Sequence, residues 1–164
     1  MDFLDFAKNI EKQGKEQYLT LANSMQEKEL SGIFKFMAAE EERHWEVFDG
    51  WQKKIHTPET AVELVLGKNS DAFKSIAGHF MGEQYIAPIN YEQAYDKALQ
   101  FENQSIALYE SGLSNTTDEE WKPVLTMIIE QEKAHADFLV SLKNFLRHPG
   151  EWLENAEWRH AEEY

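Results

Sequence analysis

The chain has 164 residues, 42% hydrophobic and 13% aromatic, enough apolar material for one sizeable core and too much for a disordered chain. A net charge of −14 argues against a nucleic-acid partner, and no apolar run approaches the ~18 residues of a membrane span. With no cysteine, disulfides, zinc ribbons and thiolate-held iron are excluded, so any metal must be held by carboxylate oxygen and imidazole nitrogen. The start, Met1-Asp2-Phe3-Leu4-Asp5, lacks the basic and apolar regions of a secretory signal, so a cytoplasmic location is expected.

The predicted elements are helices. The first runs from Asp2 to about Asn23, with Phe3, Phe6, Ala7, Ile10, Gly14, Tyr18 and Leu21 on one stripe. Glu11 falls inside that stripe. Ser24-Met25-Gln26-Glu27 has the form of a capping box opening a second helix that runs to about Lys54, antiparallel to the first because the connection is short. Its apolar row is Ile33, Phe34, Met37, Phe48, Trp51 and Ile55, and Glu41 and His44 lie within it.

Residues 56–90 break the long-helix pattern: Thr57-Pro58 fits a helix start, Gly67 a stop and Ser70-Asp71 another start, giving one or two short helices. A connection this long can cross a bundle of helices roughly 36 Å in length, which favours a crossover between the second and third long helices. His56 and His79 read as ordinary polar residues. The third long helix is expected from near Asn90 to about Gly112–Asn115, with Tyr91, Tyr95, Ala98, Phe101, Glu102, Ser105, Tyr109 and Leu113 inward. Thr117-Asp118-Glu119-Glu120 resembles a capping box, but Pro123 clashes with it, so the fourth helix is placed from near Lys122. Val124, Leu125, Ile128, Phe138, Leu142 and Phe145 form its apolar row, again enclosing a Glu and a His, Glu132 and His135. The expected organisation is a bundle over 1–148, its halves about 1–55 and 91–146 joined by the crossover 56–90. A tail over 149–164, with Trp152, Leu153, Trp158 and Tyr164, would cover the bundle or a partner.

The polar residues inside these stripes carry the chemistry. Residues three apart on a helix share a face, so Glu41 with His44 and Glu132 with His135 both point into a core. An unpaired buried carboxylate costs several kcal/mol, and a bound cation is the simplest compensation. The two pairs stand 91 residues apart, and at the same offset Glu11 matches Glu102 and Tyr18 matches Tyr109. Each half therefore reads Glu, Tyr, Glu, His. Glu157-x-x-His160 is a decoy: the position 30 residues before its Glu is Met127.

Four helices that each donate an inward Glu, two of them adding His, form the ligand arrangement of a two-metal centre in a bundle core. Four negative charges match two divalent ions, and six ligands leave positions open for small molecules. Carboxylate with imidazole suits iron or manganese, and zinc can occupy the same ligands. Tyr18 and Tyr109 lie about 10.5 Å along the helix from Glu11 and Glu102, and are expected to hydrogen-bond a ligand carboxylate of a facing helix.

These paired halves resemble the ferritin-like superfamily. The ending Pro149-Gly150-Glu151-Trp152-Leu153-Glu154-Asn155-Ala156-Glu157 resembles small rubrerythrin-like proteins without a rubredoxin domain. The resemblance covers nearly the whole chain. It implies an all-α ferritin-like four-helix bundle and a non-haem di-iron site in which Glu11, Glu41, His44, Glu102, Glu132 and His135 match the ligand positions. It also implies reaction with peroxide or oxygen, or oxidation of ferrous ion, and a role in oxidative stress. Two features depart from the pattern. Without a cysteine-held module, electrons must come from another protein or from the substrate. Full rubrerythrins carry an extra carboxylate three residues after the third-helix ligand, where this chain has Ser105, with Gly14 as the first-half equivalent. A metal-shifting peroxidase mechanism loses that support, and the small residues leave room for oxygen or peroxide.

The leading expectation is a di-iron oxidoreductase using an external electron donor. The alternative is an iron-binding, ferroxidase-type protein without multiple turnover, and a third class is a metal-free interaction bundle. No nucleic-acid or membrane partner is expected, and a homodimer is left open.

Overall fold

The computed structural model describes residues 2–26, 28–66 and 92–147. They contain five α-helices: α1 (Phe3–Ser24), α2 (Lys28–Gln52), α3 (Pro58–Leu66), α4 (Glu92–Asn115) and α5 (Lys122–Arg147). The four long ones pack chiefly as α1 on α2 and α4 on α5, with α1 against α4, while short α3 lies on α2 and α5. No described helix is long and apolar enough to cross a membrane. Gly67, Ser70-Asp71, His79 and the whole tail 149–164 lie outside the described residues.

Local chemistry sets the helix ends. Asp2 caps α1 by accepting from the Asp5 amide at 2.9 Å, while the Asp5 carboxylate accepts from the Asp2 amide at 3.4 Å. At the other end, α2 does not open at Ser24: Ser24 is the last residue of α1, its hydroxyl donating to the Leu21 carbonyl at 2.9 Å, and α2 starts at Lys28. Thr57 Oγ1 accepts from the Thr60 amide at 3.2 Å, so α3 starts at Pro58 as expected. A short 3₁₀ turn, Glu119–Trp121, precedes α5 and leaves Pro123 in its first turn, where proline is tolerated.

Two stripe residues were misassigned from periodicity. Ile55 is 68% exposed, because α2 has already ended and the chain turns at Lys54, in the left-handed region with φ 57°. Phe6 is 48% exposed, on the edge of the α1 stripe, while Ala7 beside it is buried.

The apolar core is divided in two. One cluster gathers Tyr18, Leu21, Leu30, Phe34, Tyr95 and Leu139. The other gathers Ala7, Phe48, Val65, Tyr109, Leu125 and Ile128. Trp51 stacks in parallel on Trp121 with ring centroids 4.5 Å apart at the end of the second cluster. Between them lies a buried polar layer.

A buried carboxylate–histidine centre

That layer contains every residue expected to bind metal. Glu11, Glu41, His44, Glu102, Glu132 and His135 are each at most 3% exposed, although they come from four different helices. Their donor atoms form two overlapping groups. Glu11, Glu41, His44 and Glu132 bring one donor atom each within 4.8 Å of one another, and so do Glu41, Glu102, Glu132 and His135. Glu41 and Glu132 belong to both groups, while Glu11 with His44 and Glu102 with His135 flank them. The internal repeat is thus an approximate two-fold relation in space.

The histidines aim Nδ1 at the centre. His44 Nδ1 lies 2.8 Å from Glu132 and 3.4 Å from Glu11, and His135 Nδ1 lies 3.0 Å from Glu41 and 3.3 Å from Glu102. Oε2 of Glu11, Oε1 of Glu41, Oε2 of Glu102, both oxygens of Glu132 and Nδ1 of His44 are buried with no aligned hydrogen-bond partner among the described residues. Buried polar atoms are normally satisfied, so a shared set of orphans marks a place where something else binds. The donors are all oxygen and imidazole nitrogen, which suits a divalent transition-metal pair.

Without metal, protons take over the compensation. Burial pushes the carboxyls of Glu11, Glu41 and Glu102 well above the usual carboxylate range, and the Glu132 charge adds to it. Burial acts the same way on Glu132, but the neighbouring Glu102 carboxyl and the charge of His44 outweigh it, and Glu132 is held well below 4.5. For His44, burial opposes the imidazolium, yet the Glu132 carboxylate raises it to about 9. His135 is likewise raised, burial being outweighed by Glu102 and by its carboxylate hydrogen bonds. Glu132 is therefore the anion between two cationic rings.

Both tyrosines reach across the bundle as expected. The Tyr18 hydroxyl donates to Glu102 Oε1 and the Tyr109 hydroxyl to Glu11 Oε1, so each half's phenol holds the other half's carboxylate. Tyr109→Phe is expected to destabilise the metal-free protein by about 1–3 kcal/mol, since Glu11 would lose a buried donor. A denaturation midpoint equal to wild type would show that the phenol carries no such share.

Three features were not foreseen. Glu40, 3% exposed, accepts from His135 Nε2 at 2.5 Å, and Gln131 Oε1 accepts from His44 Nε2 at 2.6 Å. Gln131 Nε2 donates in turn to the Val65 carbonyl at 2.9 Å, so α3 braces His44 through one amide. The available signal was the repeat itself: Glu40 and Gln131 each stand four residues before a histidine, at the same 91-residue offset. Glu40 was masked by the run Glu40-Glu41-Glu42, whose last member pairs outward with Lys15 at 2.5 Å.

Gly14 and Ser105 border the centre. A Cβ at Gly14 would lie 3.1 Å from Glu41 Oε2, closer than most real contacts, so glycine leaves that carboxylate its place. Gly14, Gln17, Tyr18 and Ser105 line a cleft against Glu41 and Glu102 with a volume of about 10 Å³, roughly one water molecule's space.

Among known families, the model described as Rubrerythrin matches residues 2–143. Neither the curated proteins nor the solved structures provide a significant match.

Proposed function

The chain belongs to the rubrerythrin family, within the ferritin-like superfamily, and from that premise we propose that it is a non-haem di-iron oxidoreductase acting on peroxide or oxygen with an external electron donor. The reading takes the bundle over 1–148 as its single domain and 149–164 as its tail. One observation supports it most: two four-residue donor groups that share Glu41 and Glu132 in a water-poor layer. Glu41 and Glu132 would be held in common by two iron ions, with Glu11 and His44 completing one position and Glu102 and His135 the other. Iron in such a site supplies one-electron steps at open coordination positions.

The chain's own residues prepare that chemistry. Tyr18 and Tyr109 hold Glu102 and Glu11 by one oxygen each, which leaves the other oxygen to change its binding mode as charge changes. The cleft beside Glu41 and Glu102 is the approach for a molecule as small as oxygen or peroxide. Buried phenols, pushed well above 10 by burial and the neighbouring carboxylates, stay protonated and keep donating their hydrogen bonds to Glu102 and Glu11. Electrons must arrive from outside, since the chain has no cysteine to hold a redox centre of its own.

Peroxide turnover with a chemical reductant, compared between iron-loaded wild type and Glu41→Ala, tests this. Wild type is expected to turn over repeatedly and the variant to stop. Equal rates would remove the proposal, and stoichiometric ferrous oxidation without repeated turnover would favour the iron-handling alternative.

A further inference from the structure

The two halves of the centre agree in every donor type but differ immediately behind it. Glu40 and Gln131 are equivalent by the internal repeat, and each reaches across to the other half's histidine. Both fix the same ring orientation. Because Gln131 spends its amide nitrogen on the Val65 carbonyl, its oxygen faces His44 and can only accept. Nε2–H of each ring is therefore the donor, and Nδ1 is left facing the carboxylates.

The acceptors differ in charge. A carboxylate draws the Nε2 proton and returns electron density to Nδ1, making the ring a stronger donor to a cation, whereas a neutral amide does this far less. Arg43 tempers Glu40 only partly: its Nη2 stands 3.5 Å from Glu40 Oε1 and it is partly exposed, while the bond to His135 is 2.5 Å and buried. The repeat has no counterpart of this arginine, since the equivalent position is Ala134.

We propose that the Glu40/Gln131 difference makes the two cation positions unequal, so that the one framed by Glu102 and His135 fills first and more tightly, and the one framed by Glu11 and His44 second. This rests on the two-cation reading above. The position that fills first is also the one beside the Gly14–Ser105 cleft, since that cleft is lined by Glu41 and Glu102. The half-loaded protein thus presents its cation where small molecules arrive.

Equilibrium titration of the full chain with Co²⁺ at fixed pH, followed by the visible absorption of the bound ion, separates the steps. Wild type is expected to bind in two resolved steps. Glu40→Gln keeps the shape and an acceptor oxygen and removes only the charge, so it should weaken the first step by about 10–100-fold and leave the second within a few-fold. Gln131→Met should do the reverse, weakening the second step and sparing the first. Two coincident steps in wild type, or a Glu40→Gln variant that weakens both steps alike or only the second, would overturn the inference. Failure of wild type to bind Co²⁺ at all would instead overturn the two-cation reading beneath it. Helical circular dichroism of each metal-free variant establishes that the fold is intact, and Gln131→Met provides an independent arm if Glu40→Gln does not fold.

Discussion

Glu132→Gln and Glu41→Gln should both abolish two-cation binding, yet change the metal-free protein in opposite ways. Both residues belong to both donor groups, so either loss strips a ligand from each position. In the metal-free state, however, Glu132 is the ionised member that holds His44 up at about 9, while Glu41 is kept neutral by burial and by the Glu132 charge. Removing the Glu132 charge leaves buried imidazolium uncompensated. From the lift of His44 above its ordinary 6.5, the cost is about 3 kcal/mol at mildly acidic pH. Glutamine at 41 replaces one neutral group with another of the same shape, and the change should stay within about 1 kcal/mol. Denaturant unfolding in chelator gives the first quantity, and elemental analysis after metal loading gives the second. Equal destabilisation by the two variants would refute the charge assignment. Retention of two cations by either would refute the shared role.

Raising the pH should weaken the metal-free protein and strengthen metal binding. Glu11, Glu41 and Glu102 titrate higher in the folded state than in the unfolded chain, and so do His44 and His135. Groups shifted this way bind more protons when folded, so their contribution is complete below the unfolded values, near 4.5 and 6.5, and is lost as pH rises through the folded ones. For His44 the loss runs from 6.5 to about 9. Glu132, shifted the other way, contributes above 4.5 and loses that share only in acid. The thermal midpoint in chelator should therefore fall steadily between about pH 5 and pH 9. Metal-loaded protein should not follow it, because the cation replaces those protons and adds about 2.7 kcal/mol per site at a hundredfold excess over its dissociation constant. Loading in weak buffer should release several protons per chain. A flat metal-free profile, or loading without proton release, would contradict the proton inventory of the centre.

Much of this was legible before any coordinates. Helical periodicity placed Glu41, His44, Glu132 and His135 on apolar faces, and the offset that relates them led to Glu11 and Glu102. All six are buried together. Misses arose where periodicity has no say. Ile55 continues the α2 stripe in sequence, but the turn at Lys54 takes it into solvent. At Ser24, where the sequence suggests the opening of α2, the chain is still in α1, whose Leu21 carbonyl accepts from the Ser24 hydroxyl, and α2 starts only at Lys28.

By itself the sequence determined which residues share a helix face, because 3.6 residues per turn is a property of the backbone alone. That sufficed for the six central side chains, whose apolar surroundings marked them as inward. Tertiary structure alone decided which half answers which: Tyr18 to Glu102, Tyr109 to Glu11, Glu40 to His135 and Gln131 to His44. Those pairings depend on how the faces of separate helices meet, and spacing within a single helix carries no information about its neighbour.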